Sequence, residues 1–198
     1  MGLSHASALR PAMPTQRLFL ALSLPDPIRA LLADLTEPLP HVRWTPTEQL
    51  HVTLRFLGDV DVAHLDSLTT RLSTIQVEPF LLPIEGVGAF PPKSPPHILW
   101  AGTGHGHPRL HQLRQQIDNA ALAAGVDFNV RTFHPHVTLA RCTDQAAPHT
   151  ARWLRRHAGF EGPPFKVDAV DLFASELHPA GARYERIERF PIAAASSA

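Results

Sequence analysis

One tetrapeptide constrains this chain more than any other feature. His-Val-Thr-Leu stands at 51–54 and again at 136–139, a spacing of 85 residues (136 − 51). Both copies sit in short apolar runs of strand character, LHVTLRFLG at 50–58 and HVTLARC at 136–142. The elements around them repeat as well. RLFLALSL at 17–24 predicts a strand; Asp26 is a good N-cap type before Pro27, and Ile28, Leu31, Leu32 and Leu35 keep helical spacing until Pro38 and Pro40. After the strand at 50–58, which glycine ends, a helix over 62–75 carries Leu65, Leu68 and Leu72 on one stripe. A third extended segment covers 80–90, where Pro83 marks an edge or a bulge.

A proline-rich turn at 91–96 separates the halves, and the pattern restarts. A strand at 97–102 precedes a helix marked by Leu110, Leu113, Ile117, Ala121 and Leu122 and closed by Gly125. The strand at 136–142, a thinly apolar helix over 149–157 and strands at 165–177 and 184–192 complete the chain. Each half reads strand–helix–strand–helix–strand, which predicts an α+β fold of two pseudo-symmetric lobes rather than a solenoid. One bilobal domain is expected over 17–192, from sequence halves 17–90 and 97–192, between a flexible extension at 1–16 and a flexible tail at 193–198. Met13 is a second candidate start.

Composition removes several classes of function. A hydrophobic share of 44% in 198 residues supports a real core. Eighteen basic residues balance eighteen acidic ones, which argues against holding nucleic acid by bulk charge. The single cysteine excludes a disulfide framework and suits a reducing compartment, so a cytoplasmic location is expected. No apolar run approaches the roughly 20 residues of a membrane helix. The run from Leu18 to Leu24 is too short for a signal peptide and reads as a buried first strand.

The repeated motif has a chemical reading. Residues two apart on a strand share a face, so His51 and Thr53 point one way while Val52 and Leu54 point into a core; His136 and Thr138 do the same. If the lobes face each other, two imidazoles and two hydroxyls converge on one cleft. One neutral ring takes a proton from a nucleophile, one charged ring gives a proton to a leaving oxygen, and hydroxyls with arginines hold phosphate oxygens. Cleavage of a phosphodiester without metal needs this inventory. A lone His-x-Thr is more often structural; the same tetrapeptide in matching places of a repeat carries the catalytic reading.

The flanks extend the pattern. RLFLALSLP at 17–25, VRWTPTEQLHVTLRFLGDV at 42–60, GVGAFPP at 86–92, ILWAG at 98–102, RTFHPHVTLAR at 131–141 and LFASEL followed by Tyr184 occur in order. Together they resemble the two-histidine phosphoesterase superfamily and, within it, the RNA 2′,3′-cyclic phosphodiesterases, formerly described as 2′–5′ RNA ligases. That resemblance implies two antiparallel sheets around a central groove. It implies hydrolysis of a terminal 2′,3′-cyclic phosphate of RNA to a 2′-phosphate, with no cofactor and no metal. His51 would be the proton donor to the departing 3′ oxygen and His136 the proton acceptor that activates water. Thr53 and Thr138 would bind phosphate oxygens. The partner would be an RNA end, tRNA fragments being one candidate source, and the protein a monomer.

The arginines are less symmetric. The resemblance suggests Arg141 as a phosphate contact, yet ideal strand parity turns it away from His136 and Thr138; a bulge or the strand end at Cys142 would bring it round. Parity puts Arg55 on the cleft side, where it either meets phosphate or forms a rim salt bridge. Phe56 and Phe133 have the shape to stack on a base but read first as core residues. His134 shares the parity of His136 and is placed to tune it. His105, His107 and His111 invite a zinc reading that lacks a carboxylate or cysteine close by; a solvated loop and helix start is the simpler reading. Cys142 reads as structural, and Arg152, Arg155 and Arg156 read as a solvated helix face that would otherwise steer RNA. Four other functions remain open: action on another small cyclic phosphate, RNA end-joining in reverse, a non-catalytic RNA-end-binding module, and a metallohydrolase, which EDTA sensitivity would favour.

Overall fold

A computed structural model describes residues 14–92, 95–104, 106–130, 132–179 and 181–194. Most of the extension expected at 1–16, the alternative start at Met13, the imidazole of His105 and most of the tail lie outside the described residues. The first strand, β1 (Thr15–Ser23), begins within that expected extension. It leads to α1 (Asp26–Ala33), whose N-cap is Pro25, with Asp26 and Pro27 inside the first turn. Asp26 is therefore not the cap; its carboxylate lies at the helix N-terminus and pairs with Arg29. A short strand that the sequence pattern missed, β2 (Val42–Trp44), precedes β3 (His51–Asp61). Then come α2 (Leu65–Leu72), β4 (Phe80–Glu85) and β5 (Val87–Phe90). The second half holds β6 (Ile98–Gly102), α3 (Pro108–Ala123), β7 (His136–Cys142), α4 (Ala147–Arg156), β8 (Glu161–Val167), β9 (Ala169–His178) and β10 (Gly181–Pro191).

Two expected strands are each two. The segment 80–90 breaks at Gly86, whose φ of 71° takes the chain out of β4 and into a different sheet through β5. The segment 165–177 spans the end of β8 and most of β9. Gly58 also does not end its strand. Its φ of 78° places it at a bulge where Leu57 is skipped in the pairing with β1, and β3 runs on to Asp61. Pro83 sits at the irregularity between β4 and β8, where its missing N–H removes no ladder bond.

The strand order β10-β9-β1-β3-β7-β6-β5, with β2 also on β7, forms two antiparallel lobes joined by one residue pair, Val52 with Val137. A separate two-stranded sheet pairs β4 with β8. The lobes are not the sequence halves. β5, from the first half, pairs with β6 of the second, and β9, from the second half, pairs with β1 of the first. The helices cross over likewise: α2 packs on α3, while Trp153 of α4 donates its indole N–H to the Leu35 carbonyl just after α1, at 2.9 Å. Each repeat lends its third main strand to the other, so neither half can bury its sheet alone. The core runs through Leu18, Leu20, Leu54, Leu68, Leu99, Leu113, Leu139 and Leu172, all almost fully buried. No described helix is long and apolar enough to cross a membrane.

Candidate active site

The antiparallel β3–β7 pair sets the site. Val52 and Val137 are wholly buried on one face, and the residues on either side of that pair point to the other. His51 and Thr53 meet Thr138 and His136 there, each histidine across from the opposite motif's threonine. The two imidazoles are held alike. Nδ1 of His51 lies 2.7 Å from the Gln49 carbonyl, and Nδ1 of His136 lies 2.6 Å from the His134 carbonyl. A carbonyl only accepts, so each ring donates from Nδ1 and leaves Nε2 as the nitrogen free to accept or give a proton. Nε2 of neutral His51 accepts from the Thr53 hydroxyl at 3.0 Å.

Aromatic walls surround both rings. Phe19 (5.1 Å between centroids), Tyr184 (5.4 Å, edge-on) and Phe173 flank His51. Phe90 (5.2 Å, edge-on), Trp100 and His134 flank His136. Burial therefore pushes both imidazoles below the ordinary histidine value. The carbonyl bonds oppose the shift; the charge of His136 adds to it at His51, and that of His134 at His136.

The cleft has a volume of about 530 Å³. Its lining includes His51, Thr53, Thr138 and Arg141, together with Phe19, Trp44, Phe56 and Tyr184; His136, across from Thr53 on β7, adjoins these residues but is not itself part of the lining. Among the described residues four arginines line it, Arg17, Arg43, Arg141 and Arg183, and no aspartate or glutamate does. In a chain with equal numbers of acidic and basic residues, that segregation builds a local field for an anion.

One bulge, occurring twice, decides the arginines. Leu54 is skipped where β3 pairs with β1, and its counterpart Leu139 is skipped where β7 pairs with β6. Past each bulge the parity inverts. Arg141 thereby turns onto the cleft face, against ideal alternation. The same inversion takes Arg55 off it, which corrects the parity expectation for that residue. Arg55 is 5% exposed, its Nε donates to Asp118 at 2.6 Å, a second nitrogen bonds the same carboxylate, and its guanidinium lies 4.3 Å over the Phe128 ring. Phe56, the counterpart of Arg141, is 43% exposed and lines the cleft beneath Arg17 (4.6 Å), so it is not a core residue. Phe133 packs against the core beside Arg114 and His111.

Other sequence candidates fall away from the cleft. Cys142 is half-buried, and burial pushes its thiol up, the reverse of an activated nucleophile. His107 stacks on Phe80 at 4.5 Å, and no cluster of three metal-ligating side chains occurs among the described residues. Arg156 pairs with Glu37, while Arg152 and Arg155 are exposed on α4. No local pattern in the sequence marks Arg17, Arg43, Arg183, Trp44 or Phe19 as cleft residues. Arg43 and Trp44 belong to a three-residue strand, too short to show alternation, and Arg17 and Arg183 reach the cleft only through strand pairing.

A family model described as LigT like Phosphoesterase matches the chain twice, over 22–100 and 104–184. The chain belongs to the LigT-like phosphoesterases. The paired match agrees with the duplication seen in the strands. An RNA 2′,3′-cyclic phosphodiesterase of Aeropyrum pernix is 31% identical over 171 residues, 84% of this chain and 96% of that protein. One of Thermus thermophilus is 34% identical over 189 residues, 89% of this chain and 90% of that protein. The crystal structure of E. coli LigT in apo form superposes with a TM-score of 0.74 at 26% identity, covering 91% of this chain and 99% of that one. The same protein has been solved in complex with 3′-AMP.

Proposed function

We propose that this LigT-like phosphoesterase hydrolyses the 2′,3′-cyclic phosphate at an RNA end to a 2′-phosphomonoester, by acid–base catalysis and without a metal. The observation that carries the reading is the pairing of both His-x-Thr motifs across β3 and β7 beside a cleft that, among the described residues, is lined by arginines and by no carboxylate. The relatives named RNA 2′,3′-cyclic phosphodiesterase, over most of the chain, support the same substrate.

In this mechanism neutral His136 takes a proton from water through Nε2. The water oxygen bonds to phosphorus as the bond from phosphorus to the 3′ oxygen breaks. Protonated His51 delivers its Nε2 proton to that departing oxygen. The hydroxyls of Thr53 and Thr138 hold the non-bridging oxygens, and Arg141 neutralises the charge that grows on them. Arg55 takes no part in this contact, because Asp118 occupies its guanidinium. The catalytic unit is residues 17–192 acting as a monomer in the cytoplasm, on RNA ends that include tRNA fragments.

The test is direct. An oligoribonucleotide ending in a 2′,3′-cyclic phosphate is incubated with the protein in EDTA, and the product is identified by its 2′ or 3′ phosphate. A 2′-phosphomonoester is expected at an undiminished rate. Absence of turnover, or activity that EDTA abolishes, overturns the reading.

A further inference from the structure

The two histidines are related by the repeat, so their neighbourhoods would match unless something breaks the symmetry. One substitution across the sheets does so. Opposite Thr53, β1 presents Ala21; opposite Thr138, β6 presents Trp100. The indole fits only because its partner on β5 is Gly88. A Cβ built at position 88 would overlap Cζ2, Cη2 and Cε2 of the Trp100 ring. Seated there, the indole stands edge-on to His134 at 4.8 Å and 6.3 Å from His136. Phe90, two residues beyond Gly88 on β5, closes the same box at 5.1 Å from His134 and 5.2 Å from His136. The Trp100 indole N–H is buried and has no hydrogen-bond partner among the described residues.

We propose that Trp100, admitted by Gly88, is the positioning residue for His136: it wedges His134 so that the His134 carbonyl holds Nδ1–H of His136 and Nε2 stays free to take a proton. The chain of contacts is indole to His134 ring, and His134 carbonyl to His136. The same wall excludes water from His136, in line with the downward shift that burial produces there. The titratable groups facing His136 are His134 from its own segment and His51 from β3; β5 and β6 face it with Phe90 and Trp100. Motif one holds the Gln49 carbonyl without an indole beside it, its aromatic wall being Phe19, Phe173 and Tyr184, so the device belongs to the second imidazole. The kinetic arm of the test rests on the proposed hydrolysis; the spectroscopic arm does not.

Three variants are compared with the parent: Trp100→Ala, Gly88→Ala, and Gly88→Ala combined with Trp100→Phe. Ring nitrogen shifts of His136 are followed by NMR through a pH titration without substrate, beside kcat and KM on the cyclic-phosphate RNA. In Trp100→Ala and Gly88→Ala, the His136 titration is expected to rise toward the ordinary value and its tautomer to become mixed. kcat falls about tenfold to a hundredfold, as for a misplaced catalytic group, with KM within about twofold. The double variant, whose smaller ring lacks the outer indole atoms nearest the new methyl group, recovers part of both readouts. An unchanged His136 titration and tautomer in Trp100→Ala overturns the proposal, whatever the activity. If Gly88→Ala fails to fold, Trp100→Ala alone decides. If the parent shows no turnover, the proposed hydrolysis fails, and the titration still decides the role of Trp100.

Discussion

Val52 pairs with Val137, its own counterpart 85 positions on (137 − 52), so the local two-fold of the repeat passes through a single residue pair. Everything at the site follows from that crossing. It places each histidine opposite the other motif's threonine, and it lets a repeated bulge set what lies beyond. The geometry and the buried environments of the groups lead to four measurable outcomes.

Removing either imidazole removes one half of the proton transfer. His51→Ala and His136→Ala are each expected to lower kcat by roughly 10²–10⁴. Folding is retained, because the valines between the motif positions, not the histidines, carry the core. Full activity in either variant, measured on purified folded protein, would refute the assignment.

The pH dependence follows from two histidines held below about 6.5 by burial. The profile of kcat/KM reports the free enzyme and peaks midway between its acid and base, so its maximum is expected below about pH 6.5. The anionic substrate stabilises the charged rings, which moves the maximum of kcat to higher pH. Stability has its own sign. The unfolded chain binds these two protons more tightly than the folded one, so the folded state loses stability as pH falls below about 6.5. Thermal unfolding across pH 5–8 checks the direction.

Arg55 and Arg141 are expected to separate stability from substrate binding. Asp118→Asn breaks the buried Arg55 pair, with Asp118 25% exposed, and is expected to cost about 3 kcal/mol of stability while leaving KM nearly unchanged. Arg141→Ala sits on an exposed cleft wall and is expected to shift stability by less than about 0.5 kcal/mol while lowering kcat/KM substantially. Denaturant unfolding and steady-state kinetics on both variants read the contrast; a reversed pattern would put Arg55 back in the cleft.

Salt dependence measures how much RNA the protein grips. Four cleft arginines limit the phosphate contacts, and each contact on a single strand contributes about −0.7 to the slope of log affinity against log salt. A slope no steeper than about −3 is expected. A steeper one would mean that the RNA runs well beyond the cleft.

The tetrapeptide at 51 and 136 by itself determined that the fold is a duplication, that His51, Thr53, His136 and Thr138 share a face within each motif, and that valine and leucine alternate into the core. Those are period-two facts, and any strand obeys them. Apolar periodicity likewise located the helices of the described residues, the last of them from a thin stripe only, because helical stripes are local. Tertiary structure alone decided the remainder. The exchange of β5 and β9 between lobes depends on pairing between segments far apart in the chain, so the sequence halves did not predict the lobes. Arg55 and Arg141 depart from ideal parity because a bulge adds one residue and inverts every side chain beyond it, and no local pattern marks Leu54 or Leu139 as the residue that is skipped. Arg17, Arg43 and Arg183 became cleft residues only when three separate strands met. Alternation along one strand is set by the covalent backbone; which face becomes the site is set by what that strand pairs with.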